Sequence, residues 1–176
     1  MINQQAPNLG NVQGIVERPD LPGGEGVVVI CGKAEQYKVT GTGGVDAGVT
    51  LKIEVKPVDF GAPAILHRIR ITKFGVMDNS DVQKQSGTRA LRNLRALLIA
   101  LLGAGENPLF TTMRADPNVC TQADEAREKQ ALEILNQAYQ ALLAGQFDGH
   151  RLGVKCQQKK SNFGTYYTHK FYTPAA

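Results

Sequence analysis

The sequence is poor in cysteine and contains no tryptophan. Its three cysteines, Cys31, Cys120 and Cys156, lie far apart and form no CxxC pair, so neither a disulfide framework nor a zinc site is indicated. Reduced thiols and a cytoplasmic location are expected from this pattern. The longest apolar run, ALLIALLGAG, falls well short of the ~20 residues that cross a bilayer, and no export signal is recognisable. We therefore expect no membrane association.

Catalytic motifs are also missing. The chain has no HExxH, GxSxG or Walker-type phosphate-binding segment, and the GTGG stretch at 41–44 lies between two predicted strands, where a turn is expected. Carboxylates are scarce where positive charge is concentrated, because residues 61–102 and 148–176 together contain only Asp78, Asp81 and Asp148. A metal-dependent nuclease is disfavoured. The sequence predicts no enzyme, no metal and no other cofactor.

Positive charge is present in two blocks. The net charge is +4 at pH 7, but residues 61–102 carry seven basic and two acidic side chains, and residues 148–176 carry five and one. Residues 1–60 carry five basic and seven acidic side chains, and residues 103–147 carry three and six. If the two basic blocks meet in space, they form a surface suited to a polyanion.

The order of predicted elements is three strands, a helical segment and two more strands. This is the order of an OB-fold, a five-stranded Greek-key barrel, here with two helices inserted between strands 3 and 4 at about 86–147. The predicted class is α+β and mostly β, with 1–24 as a flexible arm and 25–176 as one OB-like domain. An α+β sandwich is the alternative. The predicted strands are 25–40, 49–58, 65–74, 150–158 and 164–173.

Rings and cations alternate in the last predicted hairpin. In GTYYTHKFYT, Tyr166, Lys170 and Tyr172 share one face, and Tyr167, His169 and Phe171 share the other. Such a surface suits single-stranded nucleic acid, since cations follow the phosphates and rings stack on the bases. The competing interpretation is that the rings fill the core. The candidate binding residues are Lys52, Arg68, Arg70, Phe74, Lys155, Lys159, Lys160, Tyr166, Lys170 and Tyr172. Arg89, Arg92 and Arg95 of the predicted helix could extend the rim.

The end of the chain carries a family resemblance. The segment FDGHRLGVKC, the basic hairpin after it and the final FYTP resemble the closing strands of small phage-encoded single-stranded-DNA-binding proteins with an OB-fold. The resemblance implies binding of single-stranded DNA without sequence specificity during phage replication or recombination, inside the bacterial host cell. It also implies contacts with replication or recombination proteins. Many members end in an acidic tail, which this chain lacks.

A second function class remains open from the sequence. The two predicted helices and the acidic block at 103–147 also suit a phage protein-interaction module, an inhibitor or assembly factor that binds a host protein. The leucine-rich segment ALRNLRALLIALLGAG has enough apolar surface to cover its own domain and to form a homo-oligomer.

Overall fold

Residues that alternate between apolar and polar form the strands of one sheet. The structure is a computed structural model that describes residues 18–40, 46–74, 81–111, 122–162 and 164–175. The strands are β1 (Gly24–Ile30), β2 (Glu35–Thr40), β3 (Asp46–Asp59), β4 (His67–Phe74), β5 (Arg151–Ser161) and β6 (Gly164–Tyr172). The helices are α1 (Asp81–Leu101), α2 (Pro108–Thr111) and α3 (Gln122–Leu143). None of these helices is long and apolar enough to cross a bilayer in the described part of the chain.

The longest strand, β3, organises the sheet. One edge of β3 pairs with β2 along its first half and with β1 along its second half, while the other edge pairs with β4. The free edge of β1 pairs with β5, and β5 forms a hairpin with β6. All of these strand pairs are antiparallel, and among the described residues β2, β4 and β6 each pair with one strand only. Beyond β4, a single parallel bridge joins Asp20 to Arg68.

The core lies between one face of this sheet and the helices. Alternate strand residues and the apolar stripes of α1 and α3 enter it, and Leu97 and Leu142 are fully buried. Each fully buried side chain of this size stabilises the fold by about 1.5–3 kcal/mol. Leu21 is also fully buried, so the packed part of the chain extends at least to this residue. The fully buried strand residues are Val28, Ile30, Leu51, Ile53, Val55, Ile69, Leu152 and Val154.

The predicted α+β class is confirmed, but the predicted closed barrel is not observed. Among the described residues, β4 and β6 do not pair with each other. Two contacts explain the opening. Helix α1 packs against both strands, and residues 19–21 occupy the outer edge of β4, where Leu21 N donates to Arg68 O at 3.0 Å and Arg68 N donates to Pro19 O at 2.9 Å.

Element boundaries differ from the prediction at two places. The expected first strand, 25–40, is divided into β1 and β2 at residues 31–34, where Gly32 has a φ of 74°. Helix α1 begins at Asp81 rather than near Ser86, because the weak helix formers between 86 and 88 obscured its first turn in the sequence pattern. Both helix stops are confirmed: Gly103 and Gly145 have φ values of 64° and 81° just after α1 and α3.

Gly26 lies where β1 bends against β3. The register between these strands shifts between Val27 and Val28, as a β-bulge requires. A Cβ atom on Gly26 would overlap the backbone oxygen of Asp59, because the two atoms would lie closer together than Cβ contacts in real proteins do. Only glycine fits this position without displacing β3.

We therefore expect Gly26→Ala to destabilise the protein by at least ~2 kcal/mol, since the overlap is with backbone and forces the strands apart. For a domain of this size, that corresponds to a fall in Tm of about 4–8 °C. Thermal unfolding followed by circular dichroism measures it. Gly61→Ala is the matched control, because a Cβ atom there would meet nothing within 4 Å. Equal melting temperatures for the two variants would contradict the tight packing of β1 on β3.

Candidate nucleic-acid interface

The outer face of the β5–β6 hairpin is basic. The strand register places Lys155 opposite Lys170 and Lys159 opposite Tyr166, with all four side chains exposed. Val154 and Cys156 point the other way, into the core. We call Lys155, Lys159, Tyr166 and Lys170 the hairpin outer face. The alternation in the sequence predicted a free face holding lysine and tyrosine, and the register agrees.

Two of these lysines repel each other. Directly opposed like charges destabilise an antiparallel pair, and Lys155 faces Lys170 across the hairpin. Glu25 of β1 is the register neighbour of Lys155 on the other side, yet among the described residues no ion pair joins Lys155, Lys159 or Lys170 to a carboxylate. The positive charge of this face is therefore available to an external anion.

A cleft separates β4 from β6. Its volume is about 640 Å³, within the ~300–1,000 Å³ of typical ligand sites. Two strands line the cleft with consecutive residues, 70–72 of β4 and 167–171 of β6, as strands do when their edges face a cavity. Described residues of α1 form another wall. Arg70, Arg92 and Lys170 supply positive charge, and no carboxylate is among the lining residues that the structure describes. We call this cavity the β4–β6 cleft.

Three rings of β6 form one wall of the β4–β6 cleft. Tyr167, His169 and Phe171 are half-buried, and Tyr167 and Phe171 pack against the core. The rings of His169 and Phe171 are nearly parallel, with an interplanar angle of 8° and centroids 6.0 Å apart. The core therefore holds Tyr167 and Phe171 on one side, and all three rings line the cleft on the other.

A smaller recess of about 210 Å³ adjoins the cleft and contains Asp20. The Asp20 carboxylate lies 2.8 Å from Arg68 Nε and 3.4 Å from an amino nitrogen of Arg70. Tyr166 lines the same recess. Asp20 therefore offsets part of the positive charge that β4 brings to this region. Nothing in the sequence pattern indicates this contact, since Asp20 and Arg68 are 48 positions apart.

The predicted residues divide between several places. Arg68, Arg70, Tyr166 and Lys170 border the two connected cavities, and Lys155 and Lys159 lie beside them on the hairpin outer face. Of the helix arginines, Arg92 lines the cleft, and the side chain of Arg89 is outside the described residues.

Other predicted residues lie away from the cleft. Lys52 forms an ion pair with Glu35 at 2.9 Å. Lys160 is exposed on the opposite side of the hairpin, near its turn. The ring of Tyr172 lies over Gly153, and its hydroxyl is 3.5 Å from Gly26 O. Phe74 ends β4, and its side chain is outside the described residues.

Several residues of this site were not among the predicted ones. In the sequence, Tyr167, His169 and Phe171 alternate with the candidate residues Tyr166, Lys170 and Tyr172 and so lie on the other face of the last strand. Nothing in the sequence pattern indicates Asn93. They belong to the site because the sheet stays open between β4 and β6, which the element order did not indicate.

Neither a metal-binding cluster nor a similarity to known proteins assigns a function to this site. In the described ranges, no three His, Cys, Asp or Glu side chains come close enough together to hold a metal ion. No protein-family model matches the chain. A search of curated proteins returns no significant match. The function is therefore inferred from the geometry and charge of the cleft.

The protonation of His169 makes the stability of the folded protein depend on pH. Burial lowers the pKa of His169 from 6.5 to about 4, and the nearby Asp20 carboxylate partly opposes this effect. The folded protein therefore keeps His169 neutral at pH values where the unfolded chain already binds a proton. The stabilising effect of the neutral ring is complete above pH ~6.5 and is lost as the pH falls toward ~4.

We expect the free energy of unfolding to fall across this window by up to roughly 3 kcal/mol, at about 1.4 kcal/mol for each unit of pKa shift. His169→Gln should flatten that part of the curve. His150→Gln is the matched control, because His150 is exposed. Urea unfolding between pH 7 and pH 4 measures all three proteins. A wild-type curve that coincides in slope with the His169→Gln curve would contradict the buried, neutral ring.

Proposed function

We propose that this protein binds single-stranded DNA without sequence specificity and acts in phage DNA replication or recombination. The observation that carries the proposal is the β4–β6 cleft, where three cations and three rings meet and none of the described lining residues is acidic. Phosphates of a single strand need the cations, and each base stacked on a ring adds about 1–3 kcal/mol whatever the sequence. The phage setting rests on the resemblance of the closing strands.

The hairpin outer face supports the same proposal. Lys155 and Lys170 lie side by side without a carboxylate partner among the described residues, so a phosphate between them relieves their repulsion. Lys170 belongs both to this face and to the cleft lining. A strand can thus run from Lys155 over Lys170 into the cleft without leaving positive surface.

The fold supports the proposal by its connectivity. We infer that the sheet is an opened OB-like barrel, in which β1 and β2 correspond to one bent first strand and the helices stand between the third and fourth strands. The pairing of β5 with β1 brings the chain back beside its start, as Greek-key barrels do. In a closed barrel β4 and β6 would be neighbours. Here their separation makes room for bases.

One observation favours a second candidate function. The runs 70–72 and 167–171 present two strand edges to the cleft, and an extended peptide can pair with such edges by adding a strand. This fits a phage protein-interaction module that binds a host protein. A pull-down from nuclease-treated bacterial lysate separates the two functions, because a stoichiometric protein partner without affinity for oligo-dT favours the module.

The proposal predicts how charge and stacking divide the binding energy. Lys155→Ala with Lys170→Ala should weaken binding of labelled oligo-dT and flatten the dependence of log K on log salt by about 1.4, at ~0.7 for each phosphate that is no longer neutralised. Tyr166→Ala should cost about 1–3 kcal/mol and leave the salt slope unchanged. Fluorescence anisotropy over a range of salt concentrations measures both effects.

Lys129→Ala is the control for charge alone, since Lys129 is exposed on α3, on a different element from the hairpin. Wild-type protein that does not bind oligo-dT, or binds it equally at low and high salt, would refute the proposal.

Asp20 gives a prediction of opposite sign. Its carboxylate occupies the guanidinium groups of Arg68 and Arg70, so a phosphate must compete with it. We expect Asp20→Asn to bind oligo-dT more tightly than wild type and to steepen the salt slope by about 0.7. The same anisotropy titration measures this, with circular dichroism to confirm folding. Weaker binding by a folded Asp20→Asn protein would show that Asp20 positions the arginines instead of competing with DNA.

A further inference from the structure

Asn93 lies in the wall that α1 gives to the β4–β6 cleft. Helix α1 also contributes Arg92, Ala90 and Ala96 to the lining. Ala90 lies about one turn before Asn93, and Ala96 lies about one turn after it. Their small side chains leave the space over Asn93 open. The side chain of Asn93 is half-buried, and none of the described residues forms a side-chain hydrogen bond with it. This amide is therefore available to a ligand in the cleft.

The chemistry of an amide limits what that ligand presents. Asn93 offers N–H donors and a carbonyl acceptor side by side, so it complements a group with one acceptor and one donor at the same spacing. Adenine has such a pair in N7 and the N6 amino group, and asparagine binds it with two hydrogen bonds. On the same edge guanine has two acceptors, N7 and O6, thymine has only the O4 acceptor and cytosine has only the N4 donor, so adenine alone offers an acceptor beside a donor there.

The opposite wall suits the flat faces of a purine. Tyr167, His169 and Phe171 come from β6, across the cleft from α1, and the nearly parallel His169 and Phe171 rings offer a stacking surface. A purine covers more of that surface than a pyrimidine does. Arg92 and Lys170 lie in the same lining, so phosphates flanking a base in the cleft have cations within the same cavity.

We propose that the β4–β6 cleft takes one adenine base of a bound single strand, with its faces on the β6 rings and its N7 and N6 atoms on the amide of Asn93. This inference rests on the proposed function and adds to it, because a protein that is otherwise indifferent to sequence then prefers adenine at one nucleotide of its site. The cations supply most of the affinity, and Asn93 supplies the preference.

The test compares three oligonucleotides on wild-type protein, Asn93→Ala and Asn136→Ala. They are all-dT, the same oligonucleotide with one central dA, and the same with a central purine nucleoside that lacks the 6-amino group. Asn136 is an exposed asparagine on α3 and serves as the matched control. The purine analogue keeps the stacking area of adenine and loses the donor, so it separates stacking from edge recognition.

We expect wild type and Asn136→Ala to bind the dA oligonucleotide roughly 5- to 100-fold more tightly than all-dT, which corresponds to the ~1–3 kcal/mol of a bidentate base contact. Asn93→Ala should lose most of this preference with an unchanged salt slope. The purine analogue should behave on wild type as dA behaves on Asn93→Ala.

Two results would overturn the inference while leaving the proposed function standing. One is oligo-dT binding with the expected salt dependence but no preference for dA, and the other is an equal preference in Asn93→Ala. If no oligonucleotide binds wild type, the proposed function fails and the inference fails with it. Melting curves of both variants confirm that each is folded before its affinity is compared.

Discussion

The separation of β4 from β6 is the constraint on which the rest of the site depends. Helix α1 holds the two strands apart, because it packs against both of them. Residues 19–21 cover part of the outer edge of β4, and Leu21 is buried there. If the two strands paired, the rings of β6 would lose their open side and the cations of β4 and β6 would have no cavity between them. The apolar packing of α1 thus keeps a polar, ring-lined cleft open.

Charge in this region is balanced unevenly. Asp20 offsets the arginines of β4, and Glu35 offsets Lys52, whereas the lysines of the hairpin outer face have no carboxylate partner among the described residues. Exposed ion pairs are worth only ~0–1 kcal/mol, so a phosphate with several cations in reach can displace one. Under the proposed function, a polyanion meets lysines without a carboxylate partner at the hairpin outer face, whereas at Arg68 and Arg70 it must displace Asp20.

Much of the sheet could be predicted because alternation is a local signal. The periods of β3 and β4 grouped the residues that face the core, and glycine after each apolar stripe located the ends of α1 and α3. The period of the last hairpin separated its two faces without deciding which face of β6 is buried. The cleft could not be predicted in this way. It depends on α1 holding two strand edges apart and on Asp20 reaching Arg68 across 48 positions, and neither leaves a periodic trace. Tyr172, one of the predicted binding residues, packs its ring over Gly153 and is still exposed, so its role stays a prediction.

Photo-crosslinking tests most directly whether the cleft holds nucleic acid. Short-wave ultraviolet light joins thymine to side chains in contact with it, and mass spectrometry of the digested complex with oligo-dT identifies those side chains. We expect crosslinks at Tyr167, His169 or Phe171 on the cleft wall, with Tyr166 labelled beside them. Crosslinks confined to residues far from the cleft, such as Tyr37 on β2, would contradict binding between β4 and β6.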